Sequence, residues 1–99
     1  MEDQIITDIL AETEYLDIRD VIGKLIARIL DYRAGITGGD RHRYYIDDQG
    51  GLYISYPHGY YAMDRQVTDH SITLLSRGLS GYSSTEEISE AIANSYAAN

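Results

Sequence analysis

The chain has 99 residues, 16 Asp+Glu against 8 Lys+Arg for a formal net charge of −8, ten Tyr, and no Cys, Trp or Phe. Without cysteine it is no disulfide scaffold, thiol enzyme or zinc–thiolate site. Its apolar runs fall short of the roughly 18 residues of a membrane span, and its acidity argues against direct nucleic-acid binding. The expectation is a single cytoplasmic domain, residues 1–99, with no secretory leader, since Glu2 and Asp3 follow Met1 directly.

The acids are unevenly spread. Residues 1–20 carry seven acids and one Arg, whereas residues 21–46 carry two acids and five bases. Residues 47–69 have four acids beside Arg65, and residues 70–99 have three beside Arg77. The excess therefore concentrates at the amino terminus, around a mid-chain turn and in the last helix. Lys24 is the one lysine, and an acid-rich, Lys-poor surface also suits halophile adaptation, because net charge serves solubility as well as binding.

Residues 3–34 read as helical. Ile5, Ile6, Ile9, Leu10 and Leu16 share one arc, and Ile18, Val21, Ile22, Leu25, Ile26, Ile29 and Tyr32 share another, roughly 165° away. That offset favours a break near Glu14–Asp17 with Asp17 as N-cap, over one long helix covering two partners. Gly35 suits the αL position that ends a helix, and Gly38–Gly39 read as a flexible link.

A β-meander follows: Tyr44–Ile46, Leu52–Tyr56 and Tyr60–Asp64. Asp47-Asp48-Gln49-Gly50-Gly51 and Pro57-His58-Gly59 supply the turns. Alternation puts Tyr44, Ile46, Leu52, Ile54, Tyr56, Tyr61 and Met63 on the face toward the helices and leaves Tyr45, Tyr53 and Tyr60 outside. Residues 71–76 fit a short helix capped by Asp69 better than a fourth strand, and Gly78 and Gly81 then punctuate a loop. Ser84-Thr85-Glu86-Glu87 is a capping box that opens a last helix to about Tyr96. In that helix Ile88, Ala91, Ile92, Ser95 and Tyr96 face inward. The expected class is α+β: amino-terminal helices, a three-stranded antiparallel meander, and a carboxy-terminal helix packed on one sheet face.

Few residues invite catalysis. His42, His58 and His70 with Asp47 or Asp48 can be written as an N/O metal set, but they lack the i, i+4 spacing that puts two ligands on one helix face. Ordinary exposed histidines are the expectation, with no metal and no cofactor. Asp47-Asp48 sits in a turn before two glycines, too exposed for the raised pKa of acid–base catalysis. No serine lies in a G-x-S-x-G setting, and neither glycine cluster is a phosphate loop. The chain is therefore expected not to be an enzyme.

The acids and tyrosines carry more. Asp8 and Glu12 are i, i+4, as are Glu86 and Glu90, with Glu87 beside them. One such step rises about 6 Å, close to the phosphate spacing along a nucleic-acid strand. Rows of carboxylates at that interval can occupy a groove of Arg and Lys evolved for a nucleic-acid backbone. A plain solvated surface explains them equally well. Asp20, Lys24, Arg28 and Asp31 form a mixed-sign stripe expected to be solvated. Tyr45, Tyr53 and Tyr60 fit either an interface or a substitute for the missing Phe and Trp.

Tyr44-Tyr45-Ile46-Asp47-Asp48, then a strand, a turn and Tyr61-Ala62-Met63-Asp64, resembles the centre of a phage anti-CRISPR family that inhibits the type I-F Cascade (Csy) complex. The likeness covers residues 44–64, with a one-residue length difference. It implies an acidic DNA mimic, acting in the bacterial host, that occupies the cationic surface where the complex recruits target duplex. By position it carries over Asp47, Asp48 and Asp64 alone. This chain departs from the family in its sparser last helix and its net-basic residues 21–46.

The expected function is thus a non-enzymatic inhibitor of a positively charged nucleic-acid-handling protein, acting through Asp8, Glu12, Asp47, Asp48, Asp64, Glu86, Glu87 and Glu90 beside Tyr45, Tyr53 and Tyr60. Two alternatives stand beside it. One is an immunity protein or antitoxin that caps a basic nuclease. The other is a dimeric scaffold, in which the wide apolar arc of helix 18–32 covers a second subunit. Monomer and homodimer both remain open.

Overall fold

A computed structural model describes residues 2–12, 17–37, 41–55, 64–82 and 84–97. The elements run α1 (Glu2–Glu12), α2 (Ile18–Ala34), β1 (Arg43–Ile46), β2 (Leu52–Ser55), β3 (Asp64–Gln66), α3 (Asp69–Arg77) and α4 (Thr85–Ala97). The strands form one antiparallel sheet in the order β1-β2-β3. The class is α+β, with helices before and after the meander, but among the described residues α4 does not pack on a sheet face as expected: α2 occupies the inner face, and α4 packs on α1, α2 and α3 instead.

Local chemistry sets most of the boundaries. Asp17 caps α2, its carboxylate accepting from the Arg19 amide at 2.9 Å. Gly35 ends the helix at φ 70°, ψ 24°, and the Ile36 amide reaches back to the Asp31 carbonyl at 2.9 Å. A residue with a Cβ resists that left-handed conformation. Ser84 opens α4 by accepting from the Glu87 amide at 3.3 Å, as the capping-box spacing predicts.

Three boundaries differ from the sequence reading. The third strand is Asp64–Gln66, of which the expected Tyr60–Asp64 shares only Asp64; residues 60–63 lie outside the described residues. Asp-Arg-Gln shows no apolar alternation, because this edge strand is held by backbone pairing to Tyr53, Ile54 and Ser55. The cap of α3 is Thr68, not Asp69: its hydroxyl accepts from the Ser71 amide at 3.2 Å, leaving Asp69 in the first turn. Gly78 remains helical (φ −59°, ψ −44°), and the chain turns instead at Gly81, with φ 87°. The Pro57-His58-Gly59 turn and Gly38–Gly39 lie outside the described residues.

Helix α2 is the centre of the molecule. One side lies on β1 and β2, and the rest is wrapped by α1, α3 and α4. Val21, Ile22, Leu25, Ile26, Ala27 and Ile29 are all buried, which is the reason for the wide apolar arc. That arc is covered within the chain, leaving Ile18 and Tyr32 exposed near its ends. Isoleucine dominates the core: Ile6 and Ile9 from α1, Ile54 from β2, Ile72 from α3, Ile88 and Ile92 from α4. The expected inward face of α4 holds at Ile88, Ala91 and Ile92; the side chains of Ser95 and Tyr96 lie outside the described residues. Against the sheet the fit depends on Gly23, where a Cβ would stand 2.6 Å from Cγ of Tyr44 and 3.1 Å from Leu52.

Candidate functional site

No helix covers the outer face of the sheet among the described residues; α2 takes the inner one and α4 does not touch the strands. Opposed residues of an antiparallel pair share a face. Tyr45 stands opposite Tyr53, and the rings stack with centroids 5.0 Å apart and planes 7° from parallel. Tyr45 is 42% exposed.

A carboxylate acts on each tyrosine hydroxyl. Tyr45 donates to Asp64 Oδ2 at 2.7 Å, and that bond pushes its pKa up to about 12. The Asp47 carboxylate beside the Tyr53 hydroxyl raises the Tyr53 pKa in the same way. Both rings therefore stay neutral donors at physiological pH. They offer flat contact area rather than acid–base chemistry.

Asp47 has a second task. Its Oδ1 accepts from the Gln49 and Gly51 amides at 2.9 and 2.7 Å, while Gly50 closes the turn at φ 80°. A Cβ at Gly51 would lie 2.9 Å from Asp47 Oδ2. The Gly51 amide above all, then the Tyr53 hydroxyl, the Gln49 amide and nearby Arg19, hold the Asp47 carboxyl below its usual range. Asp48 is exposed next to it in the same turn.

The expected site residues divide three ways. The sheet face gathers Tyr45, Tyr53, Asp47 and Asp64, with Asp48 at its end; these include all three carboxylates of the family likeness. Asp8 and Glu12 lie on α1 beside a groove, where Glu12 is paired with Lys24 at 3.2 Å and Asp8 accepts from Gln4 at 2.7 Å. Glu86, Glu87 and Glu90 are exposed on α4, which packs on other helices, so they share no surface with the tyrosines. Tyr60 lies outside the described residues.

Two sequence readings are corrected here. His42 is buried, not exposed, and the Asp20–Lys24–Arg28–Asp31 stripe is not a solvated row, because Asp31 is 4% exposed. Asp31 takes His42 Nδ1 at 2.7 Å and Arg28 Nη1 at 2.9 Å, and Arg28 also donates to the His42 carbonyl at 2.8 Å. The only sequence signal for this cluster was the i, i+3 spacing of Arg28 and Asp31. His70 is exposed, and His58 lies outside the described residues. No three His, Asp or Glu side chains converge as metal ligands among the described residues. Likewise no helix there is long and apolar enough to cross a membrane.

No protein-family model, curated protein or solved structure matches the chain.

Proposed function

We propose that this protein is a non-enzymatic inhibitor that binds a positively charged nucleic-acid-handling protein through the outer face of its sheet. In its most specific form it is a DNA mimic that blocks duplex binding by a Cascade-type CRISPR effector. The observation that carries this reading is the stacked Tyr45–Tyr53 pair with a carboxylate at each hydroxyl. Stacking and hydrogen bonds fix four side chains in advance, so little rotamer entropy remains to be lost on docking. Asp64 keeps acceptor capacity beyond the one tyrosine bond, enough for the fork of an arginine. The ring face of Tyr45 can take the same guanidinium by cation–π attraction. The acids of α4 stand on another layer and serve solubility in this scheme.

The test is competition with duplex DNA for purified type I-F Cascade, at low and high salt, with Tyr45→Ala and Asp64→Lys as site variants. The native chain should displace the duplex at low salt and lose that ability as salt rises. Each variant should weaken binding by about 30-fold, as for a 2 kcal/mol hot spot. Asp47 is unsuitable for charge reversal because it also builds the turn. Equal competition by the native chain and both variants would overturn the site. Capture of a basic nuclease in place of Cascade would replace the reading with the immunity one.

A further inference from the structure

Away from the sheet's outer face, a groove of about 740 Å³ is lined by α1, the middle of α2 and residues Ile36, Thr37, Arg41 and Tyr44. Small-molecule sites commonly span about 300–1,000 Å³. Its apolar lining is Ile5 and Ile9 on the α1 side and Ile36 and Tyr44 opposite, with Arg28 among its charged residues.

Most charges in the groove are already matched. Lys24 is paired with Glu12, and Arg28 with Asp31. Two are not. Asp8 has only the Gln4 amide, and Arg41 pairs with no carboxylate among the described residues.

The helix register puts the unmatched acid near the anchored base. Glu2 pairs with Arg33 and Glu12 with Lys24, so α1 runs antiparallel to α2. Asp8 lies one turn before Glu12 and Arg28 one turn after Lys24, which sets Asp8 level with Arg28. Arg41 adjoins His42, whose carbonyl fixes the Arg28 guanidinium. An acid, an anchored guanidinium and a second arginine thus line one apolar-walled groove.

The wall there is a buried ion pair, with Arg28 Nη1 facing Asp31 Oδ2 at 2.9 Å and the Asp31 side chain only 6% exposed.

We propose that the groove binds a free α-amino acid with a large apolar side chain. Asp8 takes the α-ammonium, and Arg41, assisted by Arg28, takes the α-carboxylate. The side chain lies on Ile5, Ile9, Ile36 and Tyr44. The charge balance selects a zwitterion. A simple organic acid would face Asp8 with no cation to offer it, and a simple amine would leave Arg41 unmatched. An α-amino acid carries both charges on one carbon, as the shared level of acid and base requires.

The experiment is a methyl and aromatic NMR titration of the full chain with L-leucine, N-acetyl-leucine, leucinamide and the dipeptide Leu-Gly. Saturable shifts at Ile5, Ile9, Ile36 and Tyr44 are expected with leucine. Blocking either charge should weaken binding by about tenfold, the loss of one charge-assisted contact. Asp8→Asn should weaken leucine but leave N-acetyl-leucine unchanged, and Arg41→Gln should weaken leucine but leave leucinamide unchanged. These surface variants fold independently of the buried triad, which their unshifted core methyls will show. Absence of saturable shifts at millimolar leucine overturns the proposal. So does N-acetyl-leucine binding as tightly as leucine, and so does tighter binding of Leu-Gly, which would make the ligand a peptide terminus.

Discussion

Asp31 holds His42 by two hydrogen bonds to one oxygen, at 2.8 Å from the backbone amide and 2.7 Å from the ring Nδ1. A carboxylate only accepts, so Nδ1 is the protonated nitrogen. With Arg28 bonded to both residues, the cluster ties the end of α2 to the start of β1 inside the fold.

Removing one member of a buried ionic cluster leaves the others unpaired, at a cost of about 3–5 kcal/mol. Asp31→Asn should therefore remove a large share of a total stability of about 5–15 kcal/mol. Glu12 also forms an ion pair, but its side chain is 62% exposed. Glu12→Gln should change stability by no more than about 1 kcal/mol. Urea denaturation of both variants checks the contrast, and equal midpoints would mean that burial adds nothing to the Asp31 cluster.

Gly23→Ala sets helix propensity against packing. Alanine in a helix interior is favoured over glycine by about 1 kcal/mol. The added Cβ would press on the Tyr44 ring, 2.6 Å from its Cγ, with Leu52 closing the other side at 3.1 Å. Overpacking of this kind costs about 1–3 kcal/mol, and a ring clamped between a helix and a strand has little room to move. Net destabilisation is expected in thermal unfolding. A raised melting temperature would show that β1 can shift away from α2 at small cost.

These two sites also show what the sequence could and could not reveal. Asp17, Gly35 and Ser84 act on backbone groups within a few residues, so their capping roles were legible from spacing. Tyr45 and Tyr53 were assigned to the outer face because strand alternation depends only on neighbours. Asp31 and His42 are 11 residues apart, and their pairing exists only once α2 has packed on β1. On a helical projection Asp31 looks like one more member of a polar stripe. β3 escaped for a related reason: three polar residues at a sheet edge carry no hydrophobic period. Of the proposed face, the members were legible but not their division from the α4 acids, which depends on the packing of layers.

Asp47 predicts an acid-sensitive turn. Its folded pKa is depressed, chiefly by the Gly51 amide, below an unfolded value of about 3.9. A group of this sign contributes stability above the unfolded pKa and loses it as pH falls through the folded one. Glu2, depressed by Arg33, adds in the same direction. Asp47→Asn should thus be less stable than the native chain near neutral pH, the two curves converging in strong acid. Parallel curves throughout would remove the carboxylate charge from the turn's stability.

Tyr45 tests the proposed face from the alkaline side. Its pKa stands at about 12, raised first by its bond to Asp64 and then by partial desolvation. The unfolded value is about 10, so this bond's contribution is complete below that pH and is lost as pH rises toward 12. Tyr53, raised by Asp47, follows the same sign. Ring chemical shifts should therefore show Tyr45 ionising near 12 in the native chain and closer to 10 in Asp64→Asn. Below that range both hydroxyls remain donors, so binding of a basic partner should be flat from about pH 6 to 9. A Tyr45 transition near 10 in the native chain would break the tyrosine–carboxylate geometry. A binding curve that falls across neutral pH would move the contact to a histidine-bearing surface and away from this face.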